Sequence, residues 1–169
     1  MTPNPIIYWV DFLFHVTLGW AAFVVALSTP LFSIWQFVAF IVATLAHYRS
    51  VIFIHELAHL KKGTFKIFRL VWNLISGIPF LVPSFTYSVH YDHHKPDIYG
   101  TSEDGEYIPF ATRKPILMVG YVLASLLLPF IFFVRYLLLT PASYLIPPLR
   151  KFCWERASSL SINPTYKRP

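Results

Sequence analysis

The sequence between residues 55 and 94 opens with His55-Glu56-Leu57-Ala58-His59 and closes with His90-Tyr91-Asp92-His93-His94. In an α-helix, residues three or four apart lie on one face, so each segment can direct its imidazoles toward one point. Five of the seven histidines fall in these two clusters. The spacing predicts two helical segments that present metal ligands, and we interpret the rest of the chain as the scaffold that holds them at a membrane.

The composition is typical of an integral membrane protein. Only 13% of the 169 residues are charged and 56% are hydrophobic, whereas an average soluble domain has about 25% charged residues. The single cysteine, Cys153, excludes an internal disulfide framework. The formal net charge is +6, but the basic residues adjoin apolar runs instead of forming one polar face. This pattern favours lipid headgroups as the partner and no nucleic acid.

Two apolar stretches near the N-terminus predict a transmembrane helical hairpin. Residues 10–29 and residues 31–50 are separated by Pro30, and each stretch is long enough to cross a hydrocarbon core of about 30 Å. The residue before a proline is restricted to extended conformations, so a break is expected there.

The second of these stretches is predicted to continue beyond the membrane. Residues 31–60 contain no proline or glycine, and a helix of that length extends about 45 Å, which exceeds the hydrocarbon thickness. His55 and His59 are therefore expected on an extension outside the lipid. Lys61 and Lys62 follow directly, and basic residues next to a span favour the cytoplasmic side.

The segment from Phe65 to Val89 is predicted to lie on the membrane surface. Prolines and a glycine interrupt it, which disfavours a straight helix in contact with lipid. A third crossing here would also place the two histidine clusters on opposite sides of the bilayer. The segment carries an apolar stripe with helical spacing at Phe68, Val71, Trp72 and Ile75.

The C-terminal half contains one further apolar run, residues 116–139, which predicts a third span. Residues 97–107 are acidic, contain two glycines and lack an apolar period, so we predict a solvated loop. The sequence as a whole predicts an all-α membrane protein with one domain over residues 1–169. It comprises a transmembrane helical hairpin extended into the cytoplasm, interfacial helices that carry the histidine clusters, and at least one further transmembrane segment.

The first cluster alone permits a different chemistry. It matches the His-Glu-x-x-His pattern, in which two histidines bind zinc and the glutamate acts as general base. A catalytic zinc takes three protein ligands, and the second cluster offers three additional imidazoles. This surplus favours two metal ions, and imidazole-rich sites suit iron as well as zinc. An intramembrane zinc metalloprotease remains an alternative function.

A His-x-x-x-His motif followed after about thirty residues by His-x-x-His-His, as found here, resembles the membrane-bound fatty acid desaturase family. Two later stretches are similar to bacterial members of that family. They are Lys-Pro-Asp-Ile-Tyr-Gly-Thr-Ser-Glu-Asp-Gly-Glu-Tyr at residues 95–107 and Glu-Arg-Ala-Ser-Ser-Leu-Ser-Ile-Asn-Pro at residues 155–164. The similarity covers nearly the whole chain.

The resemblance implies an O₂-dependent, non-haem di-iron oxidoreductase of lipid metabolism that desaturates fatty acyl chains. It implies a ferredoxin, rubredoxin or cytochrome as electron donor, and a bacterial inner membrane location with the histidine boxes in the cytoplasm. Glu56 and Asp92 are candidates for hydrogen bonds to ligating imidazoles. Desaturases, hydroxylases and ketolases share such ligands, so the reaction type stays open. The implied iron ligands, with no catalytic residue beyond them, are His55, His59, His90, His93 and His94.

The sequence departs from the family at one point. Family members carry a third histidine box in the C-terminal half, whereas this sequence has no histidine after His94. We therefore interpret the chain as the N-terminal portion of a desaturase-like protein with a missing C-terminal half. A dimer that pools ten histidines, and a non-catalytic membrane scaffold or gene remnant, remain alternatives. Two irons, one zinc or no metal in the purified chain would discriminate among the classes.

Overall fold

The computed structural model describes residues 3–60, 63–108 and 114–169. These residues form helices and connecting turns, and none of them belongs to a β-strand. The chain divides into two compact units, Met1–Phe80 and Leu81–Pro169. Lys61 and Lys62, whose charges led us to predict a cytoplasmic position, lie outside the described residues.

Two long helices, α1 (Pro5–Ser28) and α2 (Ile34–Val51), pack against each other in the first unit. The Asn4 side chain caps α1 by accepting the N–H of Ile6 at 2.9 Å, and Ser33 Oγ caps α2 by accepting the N–H of Gln36 at 3.1 Å. Short polar side chains at these positions satisfy N–H groups that have no partner within the helix. The caps therefore define the N-terminal ends of the two helices, and Ser33 lies in the turn that joins them.

Small residues allow the two helices to approach closely. Gly19 of α1 is buried, and a Cβ atom at this position would lie only 2.8 Å from the His47 ring of α2. In a lipid environment, close backbone approach and van der Waals contact drive helix association. The other small residues buried in the two helices are Ala22, Ala26, Ala39, Ala43, Ala46 and Ser50.

The long second helix predicted from the sequence is present, with one irregular turn. It begins at Ile34 and changes at Ile52 from α2 to α3 (Phe53–His59). There the N–H of His55 donates to the carbonyl of Ile52 at 3.0 Å, a three-residue spacing that tightens the helix. The whole segment Ile34–His59 is long and apolar enough to cross a membrane, and it carries the first histidine cluster at its end.

The apolar stripe predicted after this helix packs into the core of the first unit. It lies on α4 (Lys66–Trp72) and on the π-helical turn Asn73–Gly77 that follows. Trp72 is fully buried, and its Nε1 donates to the carbonyl of Ser50 at 2.8 Å. The stripe thus contacts protein, and its location at a membrane surface stays a prediction. The buried core comprises Phe12, Val16, Phe53, Leu57, Phe68 and Trp72, with Val71 and Ile75 packed against it.

The apolar run at residues 116–139, predicted as one span, is divided in the structure. Helix α6 (Ile116–Ser125) ends before a turn, and α7 (Leu128–Phe133) begins with a proline in its first turn. Proline has no N–H to donate and is suited to a helix start, which explains the break. Helix α7 continues without a break into a π-helical turn, Val134–Leu139, and then into α8 (Thr140–Leu145). The combined segment Leu128–Leu145 is the third stretch able to cross a membrane.

The last helix of the second unit is α9 (Pro147–Ala157), and no regular helix follows it among the described residues. We call residues 158–166 the C-terminal strap. The unit also contains a 3₁₀ turn, Ser84–Tyr87, and the short helix α5 (Val89–His93). The N–H of Leu160 in the strap donates to the carbonyl of Thr86 at 2.8 Å. The strap therefore returns to the turn that precedes α5.

Candidates for membrane-spanning helices therefore number three among the described residues: Pro5–Ser28, Ile34–His59 and Leu128–Leu145. Together with the helical secondary structure they confirm the prediction of an all-α membrane protein. The side of the membrane on which each helix end lies stays a prediction.

Candidate metal-binding site

The first histidine cluster lies on α3. Its two imidazole rings, of His55 and His59, have centroids 4.7 Å apart, and each ring offers a nitrogen within 4.8 Å of the other. The opposite face of α3 is anchored in the core by Leu57, which is 1% exposed and whose carbonyl accepts from Arg69 Nη2 at 2.7 Å. This anchoring leaves the histidines on the side of α3 that faces away from the core, with the His59 side chain exposed.

Glu56, in the same cluster, bonds to the first helix. Its Oε2 accepts the hydroxyl of Tyr8 at 2.9 Å, which ties α3 to the start of α1. The predicted hydrogen bond in which Glu56 accepts the N–H of a ligating imidazole stays a prediction.

The second cluster occupies α5 and the residue that ends it. The Nε2 atoms of His90 and His94 lie 3.1 Å apart, and the centroids of the His93 and His94 rings are 5.6 Å apart. His90 is buried, with 5% of its surface exposed. The spacing of three and four residues thus brings the three rings together as the sequence predicts.

A carboxylate fixes the orientation of the buried histidine. His90 Nδ1 lies 2.8 Å from Glu106 Oε2, and because a carboxylate can only accept, Nδ1 carries the proton. In a neutral imidazole, the form that binds a metal, the lone pair is then on Nε2, the atom that lies 3.1 Å from His94 Nε2. The Tyr87 ring stacks on the His90 ring with centroids 4.8 Å apart. Burial, with the charge of Glu106 as a smaller cause, raises the pKa of Tyr87 to about 12, so its hydroxyl stays protonated.

A second carboxylate fixes His93 in the same way. Both oxygens of Asp104 lie 2.9 Å from His93 Nδ1, and they also accept the N–H groups of Gly100 and Glu106, each at 2.9 Å. Burial acts to raise the pKa of Asp104, but these two N–H groups and His93 together lower the pKa below its usual value. Asp104 is therefore an ionised carboxylate held entirely inside the protein, with 0% of its surface exposed.

These contacts correct one prediction from the sequence. Residues 97–107 were expected to be a solvated loop, which is wrong for Asp104 and for Glu106, whose side chain is 15% exposed. We call residues 100–107 the acidic loop. Asp104 lies 11 residues after His93 and Glu106 lies 16 residues after His90. These separations do not follow the three- or four-residue period of a helix, so periodicity could not reveal the contacts. The available signal was a pair of acids flanking Gly105 shortly after a histidine cluster.

Asp92, the other acid singled out from the sequence, forms a local ion pair. Its Oδ1 lies 2.6 Å from Lys95 Nζ, and both side chains are more than two-fifths exposed. This hydrogen bond to Asp92, followed by smaller effects, raises the pKa of Lys95. A role for Asp92 in orienting a ligand stays a prediction.

The donors of the second cluster suit a transition metal. Metal-ligating histidines usually donate their other ring N–H to a carboxylate or carbonyl, and His90 and His93 both do so. Glu106 Oε1 is buried without a hydrogen-bond partner among the described residues. A buried carboxylate oxygen is costly unless positive charge lies nearby. Neutral imidazoles with such carboxylate partners fit iron or zinc.

Comparison with known proteins identifies the family. The family model described as Fatty acid desaturase matches residues 33–165. The chain is also similar to a ceramide hydroxylase of Caulobacter vibrioides (strain NA1000 / CB15N), with 37% identity over 169 residues that cover 99% of this chain and 48% of the relative. The chain thus spans about half the length of this curated relative. No solved structure matches it. Because the family match covers more than half of the chain, this protein belongs to the fatty acid desaturase family.

Proposed function

We propose that this chain carries iron ligands of a membrane-bound, O₂-dependent oxidoreductase that oxidises an unactivated C–H bond in the acyl chain of a membrane lipid. Membership of the fatty acid desaturase family supports the reaction class. The observation that carries the proposal is the pairing of His90 with Glu106 and of His93 with Asp104. An isolated surface cluster would have no need of two partly or wholly buried acids that fix its ring tautomers.

Five histidines are the proposed ligands of two non-haem irons. When bound, iron would supply the activation of O₂ and the abstraction of hydrogen from the substrate. The acids of the acidic loop hold the Nδ1 protons of His90 and His93, which keeps Nε2 of each ring basic and oriented toward the metal. The ligands contributed by α3 and α5 are His55, His59, His90, His93 and His94. Zinc is the less favoured alternative, since the family model describes desaturases.

A cavity in the second unit supports a lipid substrate. Its volume is about 870 Å³, and its walls are mainly apolar. Tyr87 lines this cavity and also stacks on His90, so one side chain connects the apolar volume to a proposed iron ligand. Mainly apolar walls of this kind favour the binding of an acyl chain. Other residues in the wall are Val82, Leu127, Ile131, Phe152 and Ile162.

Hydroxylation is the reaction that the named relative favours, because that protein is described as a ceramide hydroxylase. One oxygen atom of O₂ is inserted into the C–H bond, and the other leaves as water. This step uses two electrons, delivered one at a time by a reduced ferredoxin, rubredoxin or cytochrome, and two protons from solvent. Desaturation is the second candidate, and the description of the family favours it. There the same two electrons and two protons, with two hydrogens removed from the acyl chain, convert both oxygen atoms to water.

Analysis of lipid products tests the proposed function. The iron-loaded chain is placed in vesicles that contain ceramide and phospholipid, with reduced ferredoxin and isotopically labelled O₂. Mass spectrometry is expected to find a lipid that has gained one labelled oxygen atom, whereas an unlabelled alkene would identify a desaturase. A product pattern identical to that of the His93→Ala chain would contradict the proposed function.

A further inference from the structure

The C-terminal strap holds the backbone of the acidic loop at one point. Ser161 Oγ donates to the carbonyl oxygen of Gly105 at 2.8 Å. The backbone N–H groups of Ile162 and Asn163 donate to the same oxygen at 2.9 Å and 3.0 Å. Three donors on one carbonyl fix the residue that lies between the two acids of the loop.

The Asn163 side chain also contacts the loop, and its amide group has a defined orientation. Its Nδ2 donates to the backbone carbonyl of Asp104 at 2.8 Å. Its Oδ1 accepts the N–H and the hydroxyl of Thr165 at 3.0 Å and 2.7 Å. Because the oxygen is engaged by Thr165, the amide nitrogen is the atom directed at the loop.

The acidic loop needs such support to orient a ligand. It contains glycines at positions 100 and 105, and Gly100 has a positive φ of 76°. Glycine gives a backbone more freedom than any other residue, whereas side chains that orient a ligand must be held to within about 0.5 Å. Hydrogen bonds from outside the loop supply this restriction.

We propose that Asn163, with Ser161, is a positioning residue for the metal site. It contacts the loop backbone, the loop places the carboxylate of Asp104, and that carboxylate orients His93. The inference rests on the proposed function, because it assumes that His93 binds a metal. It adds a residue that lies 59 positions from its partner in the sequence and that belongs to neither histidine cluster.

Two variants of the chain test the proposal. Asn163→Asp retains the oxygen that accepts from Thr165 but replaces the donor with an oxygen facing the Asp104 carbonyl. Ser161→Ala removes one of the three donors to Gly105. The matched control is Ser158→Ala. It removes a strap hydroxyl that donates to the carbonyl of Trp154 in α9, not to the acidic loop.

Three measurements are made on each chain in detergent: the affinity for Co²⁺, the visible spectrum of bound Co²⁺, and backbone amide hydrogen exchange in the metal-free chain. Asn163→Asp is expected to weaken Co²⁺ binding by about tenfold, the lower end of the range for residues that support a ligand. It is expected to shift the spectrum and to speed exchange at the amides of residues 105 and 106. Ser161→Ala is expected to act in the same direction, and Ser158→Ala to match the wild type.

The outcomes separate the two levels of inference. Wild-type affinity and spectrum in Asn163→Asp overturn the positioning role, even if its thermal stability falls, because a purely structural role lowers stability without altering the spectrum. Failure of the wild-type chain to bind Co²⁺ or iron overturns the proposed function instead. In that case the exchange rates of the metal-free chains still decide whether Asn163 restrains the loop.

Discussion

His93 Nδ1 lies 2.9 Å from both carboxylate oxygens of Asp104, a residue with no exposed surface. A fully buried carboxylate with this geometry requires its N–H donors and the imidazole to offset the cost of removing its charge from water. The contact therefore connects the interior of the second unit to a histidine predicted from the sequence as a metal ligand.

Asp104→Asn is expected to weaken metal binding by 10–100-fold, because it removes the negative charge beside His93 and replaces one of the two accepting oxygens with an NH₂ group that faces N–H donors. Titration of the metal-free chain with Fe²⁺ under anaerobic conditions measures the change. Glu103→Gln removes an exposed neighbouring charge and is the matched control, with an expected affinity close to that of the wild type. Equal affinities for the Asp104→Asn and wild-type chains would show that the carboxylate does not support a ligand.

Gly105→Ala is expected to lower the free energy of unfolding by about 1–3 kcal/mol, since overpacking strains a close contact. A Cβ atom at this position would lie 3.2 Å from Val89 Cβ and 3.3 Å from Ser161 Oγ. Gly120→Ala in α6 is the control, because an added Cβ there would meet nothing within 4 Å apart from its chain neighbours and its own helix backbone. Alanine is favoured over glycine in a helix by about 0.5–1 kcal/mol. Denaturant unfolding in detergent measures both variants. A free energy of unfolding for Gly105→Ala equal to that of the wild type would contradict the close packing around Gly105.

Much of the helical framework could be predicted, because apolar length and three- or four-residue spacing are local properties. The stripe that contains Phe68 and Trp72 is buried as its period implies, but the sequence could not name Ser50 as the partner of Trp72. Pro129 lies inside the run predicted as one span, and only the structure shows that a new helix begins beside it.

The supporting residues of the site could not be predicted, for a physical reason. Asp104 and Glu106 contact His93 and His90 because the acidic loop folds back toward α5. Asn163 of the C-terminal strap contacts the backbone of this loop. Such loop contacts depend on tertiary hydrogen bonds and leave no periodic pattern in the sequence. Composition indicated a solvated loop, and burial of the two acids overrides that indication.

Trp72→Phe is expected to destabilise the first unit by about 1–3 kcal/mol, because it removes a buried donor from the carbonyl of Ser50. Trp154→Phe is the control, since Trp154 is 55% exposed and donates to Pro169 O at 3.3 Å. Its expected effect is within about 0.5 kcal/mol. Tryptophan fluorescence during denaturant unfolding measures both variants, and a larger loss in Trp154→Phe would contradict the assignment of the core.

Cysteines introduced at Thr64 and Asp97 are expected to react with a membrane-impermeant maleimide only from the cytoplasmic side, in a chain that carries Cys153→Ser. Each position follows a histidine cluster in the sequence, and the proposed reaction requires both clusters on one side of the bilayer. Intact spheroplasts and inverted vesicles supply the two orientations for labelling. Reaction of the two positions from opposite sides would exclude a metal centre that uses both clusters.

The iron content of the purified chain tests the central claim most directly. After anaerobic reconstitution with Fe²⁺ and removal of unbound metal, the wild-type chain is expected to retain iron, and His55→Ala, His90→Ala and His93→Ala are expected to retain much less. His15→Gln, a change at a histidine outside both clusters, is expected to match the wild type. Iron content in the wild type no higher than in His93→Ala would contradict the account.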